Sequence, residues 1–149
     1  MESPALLINK IISVSLLDPR IEAVVLTGSR GREQHIDSYS DIDIELIGHG
    51  VTELFQQTHW INNFGTPLAA LHLLNEENDA PDWPTCLVIY EEGRKVDFTF
   101  AEPERLEKMK CEGLDATFSR GFTVLLDKTG IANGLPEIAN STSLQPKPV

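Results

Sequence analysis

The sequence predicts an α/β domain, a mixed β-sheet with helices packed against it, and three observations carry that expectation. An N-terminal segment repeats its apolar residues at helical spacing. Several short runs alternate apolar and polar residues with period two, and helix-like stretches separate some of them.

The elements follow in order. Leu6, Leu7, Ile8, Ile11, Ile12 and Leu16 recur at roughly helical spacing, with Pro4 and Asp18-Pro19 punctuating the ends, so residues 4–17 are expected to be helical. Residues 22–27 carry Ala-Val-Val-Leu and stop at Gly28-Ser29, a short strand; the polar residues 30–40 are a loop. Residues 41–47 alternate charged and apolar side chains, a half-buried strand with Ile42, Ile44 and Leu46 on its core face. Asp41, Asp43 and Glu45 then share the other face, open to solvent. Residues 52–63 read as a helix with Thr52 as N-cap and Gly65 just beyond its end. Residues 68–74 suggest a further strand, with a helix as the alternative, and residues 75–84 form an acidic loop. Residues 85–90 and 95–100 flank Glu91-Glu-Gly-Arg94, a hairpin signal. Pro103 opens a short helix over residues 104–111, residues 122–126 are a last strand, and Asp127-Lys-Thr-Gly130 turns away. We expect one domain over residues 1–132; residues 133–149, rich in Pro, Ser and Thr, read as a linker or frayed tail.

Composition narrows the function classes. At 149 residues with 41% hydrophobic and 23% charged side chains, the chain suits one domain with a real core. No apolar run is long enough to span a bilayer and no signal pattern opens the chain, so a cytoplasmic location and no membrane partner are expected. Cys86 and Cys111 make no CxxC pair and are expected to be reduced. His35, His49, His59 and His72 show no zinc spacing. The net charge of −11 disfavours a nucleic-acid substrate and suits cations, either metal ions or a polycationic small molecule; the plainer reading is that it keeps the protein soluble.

The chemistry centres on Gly28-Ser29, eleven intervening residues, and Asp41-Ile42-Asp43. Carboxylates two apart on one strand face sit about 7 Å apart. Each such pair repels by about 2 kcal/mol at an effective dielectric of about 20. Asp97, in the second hairpin strand, alternates with Val96, Phe98 and Phe100. If that strand pairs beside residues 41–47, Asp97 joins Asp41 and Asp43 at one point. Three carboxylates there need cations, and magnesium favours such oxygen ligands, completing its shell with water and substrate phosphates. Gly28 lets backbone N–H approach a phosphate and Ser29 adds a hydroxyl donor. Neither GxxxxGK[ST] nor GxGxxG is present, so P-loop and dinucleotide readings have no support.

On these residues the sequence resembles the nucleotidyltransferase superfamily, whose signature is Gly-Ser, a loop, Asp-x-Asp and a later third Asp. More narrowly, it is similar to the streptomycin (aminoglycoside 6-) adenylyltransferases through residues 24–30, 40–44, 60–65, 90–100 and 124–128. The resemblance implies a nucleotidyltransferase-like mixed sheet and transfer of AMP from ATP to a hydroxyl of a small cationic acceptor, an aminoglycoside such as streptomycin. It implies two Mg2+ ions on Asp41 and Asp43, with Asp97 completing the metal site and helping to deprotonate the acceptor. Gly28 and Ser29 would meet the triphosphate. Arg30 would neutralise phosphate charge or is a surface arginine, and Lys128 would be a nucleotide contact. Glu45 departs from the family, which has an apolar or neutral residue there, and is taken as an outer-shell group at most.

The family continues into a helical C-terminal domain that closes over the acceptor, and residue 149 lies near where that domain would begin. The chain is then a longer protein divided at that boundary or a natural single-domain relative. In the second case a homodimer with the Asp faces opposed or near the interface would supply the enclosure. The acidic loop Glu76, Glu77, Asp79 and Asp82 would meet a cationic acceptor or is a solvated turn, and Trp60 or Trp83 could grip that acceptor. The rival readings are a minimal, antitoxin-like nucleotidyltransferase that modifies a protein, and a nucleotide-binding or interaction module without turnover.

Overall fold

The computed structural model describes residues 4–27, 42–57, 59–73, 83–91 and 93–136, with only the backbone of Pro4. The elements are α1 (Pro4–Leu17), β1 (Ala23–Thr27), β2 (Ile42–Ile47), α2 (Thr52–Gln56), a 3₁₀ turn (Trp60–Phe64) and β3 (Pro67–Leu73). They continue with β4 (Thr85–Tyr90), β5 (Lys95–Ala101), α3 (Glu104–Glu112), α4 (Ala116–Ser119) and β6 (Phe122–Asp127). The strands form one six-stranded sheet in the order β3-β4-β5-β2-β1-β6. Its neighbours are antiparallel except β2 and β5, which run parallel. The α/β fold and mixed sheet are as the sequence predicts. Among the described residues no helix is long and apolar enough to cross a membrane.

Each face of the sheet carries its own core. Val24 and Leu26 of β1, Ile42, Ile44 and Leu46 of β2, and Val96, Phe98 and Phe100 of β5 point to one side. They pack there against Leu7 and Ile11 of α1, Leu54 and Phe55 of α2, and the 3₁₀ turn. Trp60 stands edge-on to Phe64 and Phe98, with centroids 4.9 and 5.4 Å apart, a favoured aromatic geometry. The Tyr90 hydroxyl donates to the Ile61 carbonyl at 2.9 Å, fixing the turn to β4. On the other side Ala23, Val25, Ile47 and Ala101 pack against Leu106 and Met109 of α3 and Phe118 of α4.

Three expectations need correction. The single helix over residues 52–63 is instead α2 followed by a separate 3₁₀ turn, with Gln57 extended between them. Phe55 and Trp60, five residues apart, would diverge by about 140° around one α-helix, and breaking it lets both be buried. Thr52 is not the N-cap: Val51 holds that position without a side-chain bond, and the Thr52 hydroxyl donates to Glu102. Trp60 is 6% exposed in the core opposite the Asp-bearing face, so it grips no acceptor. Of the expected tail, Leu135 packs on the second core; residues 137–149 lie outside the described residues.

The turn after β2 shows why one glycine is required. A Cβ on Gly48 would overlap the Arg20 carbonyl oxygen and crowd the Glu22 nitrogen at 2.8 Å, both backbone atoms with little room to yield. Gly48→Ala is expected to destabilise the fold by about 1–3 kcal/mol in urea unfolding, and an unchanged midpoint would contradict this packing.

At the same end of the sheet, burial would raise the Glu22 carboxyl. The His49 backbone N–H at 2.8 Å and the His49 ring at 2.7 Å outweigh it, holding the group below its ordinary 4.5. A carboxyl depressed in the fold contributes stability above its unfolded pKa and loses it as pH falls through the folded one. Glu22→Gln should therefore flatten the acid limb of a stability-versus-pH curve below about pH 4.5. An unaltered acid limb would contradict the assignment.

Candidate active site

Parallel pairing of β2 and β5 decides the site. Asp43 and Asp97 are register partners, on neighbouring strands about 4.8 Å apart. Thr27, the residue before Gly28, is the antiparallel partner of Asp43 on the other side. Thr27, Asp43 and Asp97 thus form one row across one face, and Val25, Glu45 and Thr99 form the next. The sequence makes convergence of Asp43 and Asp97 conditional on that pairing, and the structure supplies it. Gly28, Ser29, Arg30 and Asp41 lie outside the described residues, as does the acidic loop of Glu76, Glu77, Asp79 and Asp82.

Above these rows lies a cleft of about 430 Å³. Asp43, Asp97, Thr27 and Thr99 line its floor, Arg105, Thr117 and Arg120 its helical wall, and Trp83 and Leu73 the opposite lip. Trp83 is therefore where an acceptor could meet it. Lys128 is not brought to this cleft. It follows β6 at the far end of β1, where Asp127 pairs with Ala23, and its ammonium donates to the Asp18 carbonyl at 2.8 Å.

The helical wall rests on a buried ion network that the sequence does not announce. Glu45, 4% exposed, does not lie on an open solvent face as expected, because α3 and α4 cover it. The Arg105 Nε and Nη2 donate to its two carboxylate oxygens at 2.6 and 2.8 Å, a bidentate pair. Nη1 of the same guanidinium donates to Asp115 at 2.8 Å, and its Cζ stands 5.2 Å from the Phe118 ring centroid. Asp115 also caps α4, its Oδ1 accepting the Phe118 N–H at 2.9 Å. Burial pushes the Glu45 carboxyl up, against the lowering pull of Arg105. Burial alone would lower the Arg105 guanidinium, but bonds and charge from Glu45 and Asp115 raise it, so it stays cationic.

Asp115 before Ala-Thr-Phe-Ser is a readable N-cap signal for α4. Arg105 could be inferred only by asking what cation a buried Glu45 would need, sixty positions away.

The donor set suits hard cations. Two carboxylates in one row on the floor of a polar cleft offer oxygen ligands of the kind magnesium takes. Among the described residues no group of three or more ligating side chains gathers, so the pair Asp43 and Asp97 is what the structure supplies toward a metal site.

Comparison with known proteins adds an independent line. A family model for streptomycin adenylyltransferase matches residues 1–149. No curated protein matches the chain. Among solved structures, the crystal structure of an aminoglycoside 6-adenyltransferase from Bacillus subtilis is similar at a TM-score of 0.61 and 21% identity. The match covers 86% of this chain and 42% of that one. At that identity the likeness shows the fold, and the chain spans less than half the length of that relative.

Proposed function

The chain belongs to the streptomycin adenylyltransferase family, and from that premise we propose that it transfers AMP from ATP to a hydroxyl of a small cationic acceptor of the aminoglycoside class. The observation that carries the reading is the row of Thr27, Asp43 and Asp97 across the floor of the cleft, next to the Gly28-Ser29 and Asp41 positions in sequence.

In this reading Asp43 and Asp97, with Asp41, would hold two magnesium ions, which when bound would offset the triphosphate's negative charge and make the acceptor hydroxyl easier to ionise. The residues of the chain do the rest. Asp97 takes the proton from the acceptor hydroxyl as its oxygen attacks the α-phosphorus in line and pyrophosphate leaves. Gly28 and Ser29 meet the triphosphate, with Arg30 balancing its charge. Thr27 and Thr99 flank the carboxylates with short hydroxyls that leave space for phosphate oxygens. The cationic acceptor enters along the lip formed by Trp83, next in sequence to Asp82 of the acidic loop.

The decisive experiment incubates the purified chain with magnesium, α-labelled ATP and streptomycin, and follows labelled acceptor and pyrophosphate. Equal release of both is the expected result. Transfer of label to protein with none to any aminoglycoside would instead favour the protein-modifying reading.

A further inference from the structure

The row that carries Asp97, Asp43 and Thr27 continues past Thr27. On the far side of β1, Phe122 of β6 is the register partner of Thr27, so the row runs Asp97, Asp43, Thr27, Phe122 from β5 to β6. In the other direction it passes to Leu87 of β4 and Leu71 of β3. Apolar side chains therefore mark one end, where Trp83 and Leu73 line the cleft, and Thr27, Thr117 and Arg120 line the other.

Packing on both sides of Arg120 fixes where it stands. Phe118 is fully buried, and its ring centroid lies 4.9 Å from that of Phe122. Between the two rings Arg120 closes α4, its N–H donating to the Thr117 carbonyl at 3.4 Å, and the Gly121 N–H donates to the Phe118 carbonyl at 3.0 Å. Gly121 turns the chain into β6 with φ 135°, a conformation that suits glycine. The start of α4 is held as well, since Asp115 caps it and accepts from Arg105. The backbone of Arg120 is thus pinned, while the residue itself is exposed.

Charge singles out the same residue. Among the described residues lining the cleft, the acids are Asp43, Glu45, Asp97 and Asp115, and the cations are Arg105 and Arg120. Arg105 gives Nε and Nη2 to Glu45 and Nη1 to Asp115, so its charge is offset from within the protein. A triphosphate brings more negative charge into this cleft, and a guanidinium fork matches phosphate oxygens. In-line displacement adds a direction. With the acceptor entering by Trp83 and its proton passing to Asp97, the leaving group departs on the opposite side of the α-phosphorus, over Thr27 and toward Arg120.

We propose that Arg120 is a further catalytic residue, whose guanidinium holds the β- and γ-phosphates and meets the charge that gathers on pyrophosphate as it leaves. The proposal rests on the AMP-transfer reading. The acceptor oxygen bonds to the α-phosphorus and its proton goes to Asp97. The bond from the α-phosphorus to the bridging oxygen breaks, and that electron pair stays on pyrophosphate beside Arg120. Arg105 touches no reacting atom; through Asp115 and α4 it is a positioning residue for Arg120.

The test is calorimetric titration of the parent, Arg120→Ala and Arg120→Lys with ATP, pyrophosphate and AMP in turn, all with magnesium, and circular dichroism to verify folding. Arg120→Ala should weaken ATP and pyrophosphate binding by about tenfold or more and AMP binding by about twofold or less. Arg120→Lys keeps the charge and should bind pyrophosphate more tightly than Arg120→Ala. Equal losses for ATP and AMP would mean a general disturbance of the cleft and would overturn the proposal. So would an Arg120→Ala variant that keeps parental pyrophosphate affinity, or a lysine variant no better than the alanine one. A parent that binds neither ATP nor pyrophosphate would overturn the AMP-transfer reading itself, and this role with it. A parent that binds both, beside an indifferent Arg120→Ala, would overturn the role of Arg120 alone.

Discussion

Asparagine in place of Asp97 is expected to lower turnover by about 100-fold or more while changing ATP affinity by about threefold or less. The asymmetry follows from the role proposed for Asp97, which takes the acceptor's proton while Asp43, its register partner, holds the nucleotide's metal. Asp43→Asn should act differently and remove magnesium-dependent ATP binding itself. It also relieves repulsion from Asp97 and Glu45 in the metal-free protein, so thermal stability without metal should hold or rise. Calorimetric titration of ATP with and without magnesium, beside single-turnover kinetics, separates the two. An Asp97→Asn enzyme that keeps more than about a tenth of parental kcat would remove Asp97 from the proton-transfer role.

The residues legible in advance share one property, that local periodicity fixes their geometry. Period two in β2 sets Asp43 opposite in sense to Ile42 and Ile44, and the same rule in β5 separates Asp97 from Val96 and Phe98. The hairpin of β4 and β5 was equally readable, since both strands and the turn are contiguous. What alternation cannot supply is which face another element will cover. Glu45 has the same phase as Asp43, yet it is buried and Asp43 is not, because α3 crosses one row and not the next. The break between α2 and the 3₁₀ turn was hidden for a related reason, since only tertiary packing requires Phe55 and Trp60 to share one core. Lys128 follows only from likeness to a motif, and no periodicity fixes where its ammonium goes, which is to the Asp18 carbonyl.

The most consequential unforeseen contact gives the second large effect. Arg105→Met should destabilise the fold by about 3–5 kcal/mol, because a carboxylate that is 4% exposed would lose its only bidentate cation among the described residues. For a chain of this length that is a fall in Tm on the order of 10 °C or more. Asp115 adds less to the loss, since it is partly exposed and still accepts the Phe118 N–H. The penalty belongs to the abandoned charge, not to the methionine, so removing the charge should remove most of it. Glu45→Met combined with Arg105→Met replaces the pair by apolar side chains of similar length and should recover most of the lost stability, as buried pairs exchanged whole often do. Urea unfolding of the parent, both single variants and the double variant gives the coupling directly. A cost below about 1 kcal/mol for Arg105→Met alone would show that water reaches Glu45 and that the pair behaves as a surface bridge. A double variant no more stable than Arg105→Met would show instead that the guanidinium's contacts with Asp115 and the Phe118 ring, not Glu45, hold α3 and α4 on the sheet.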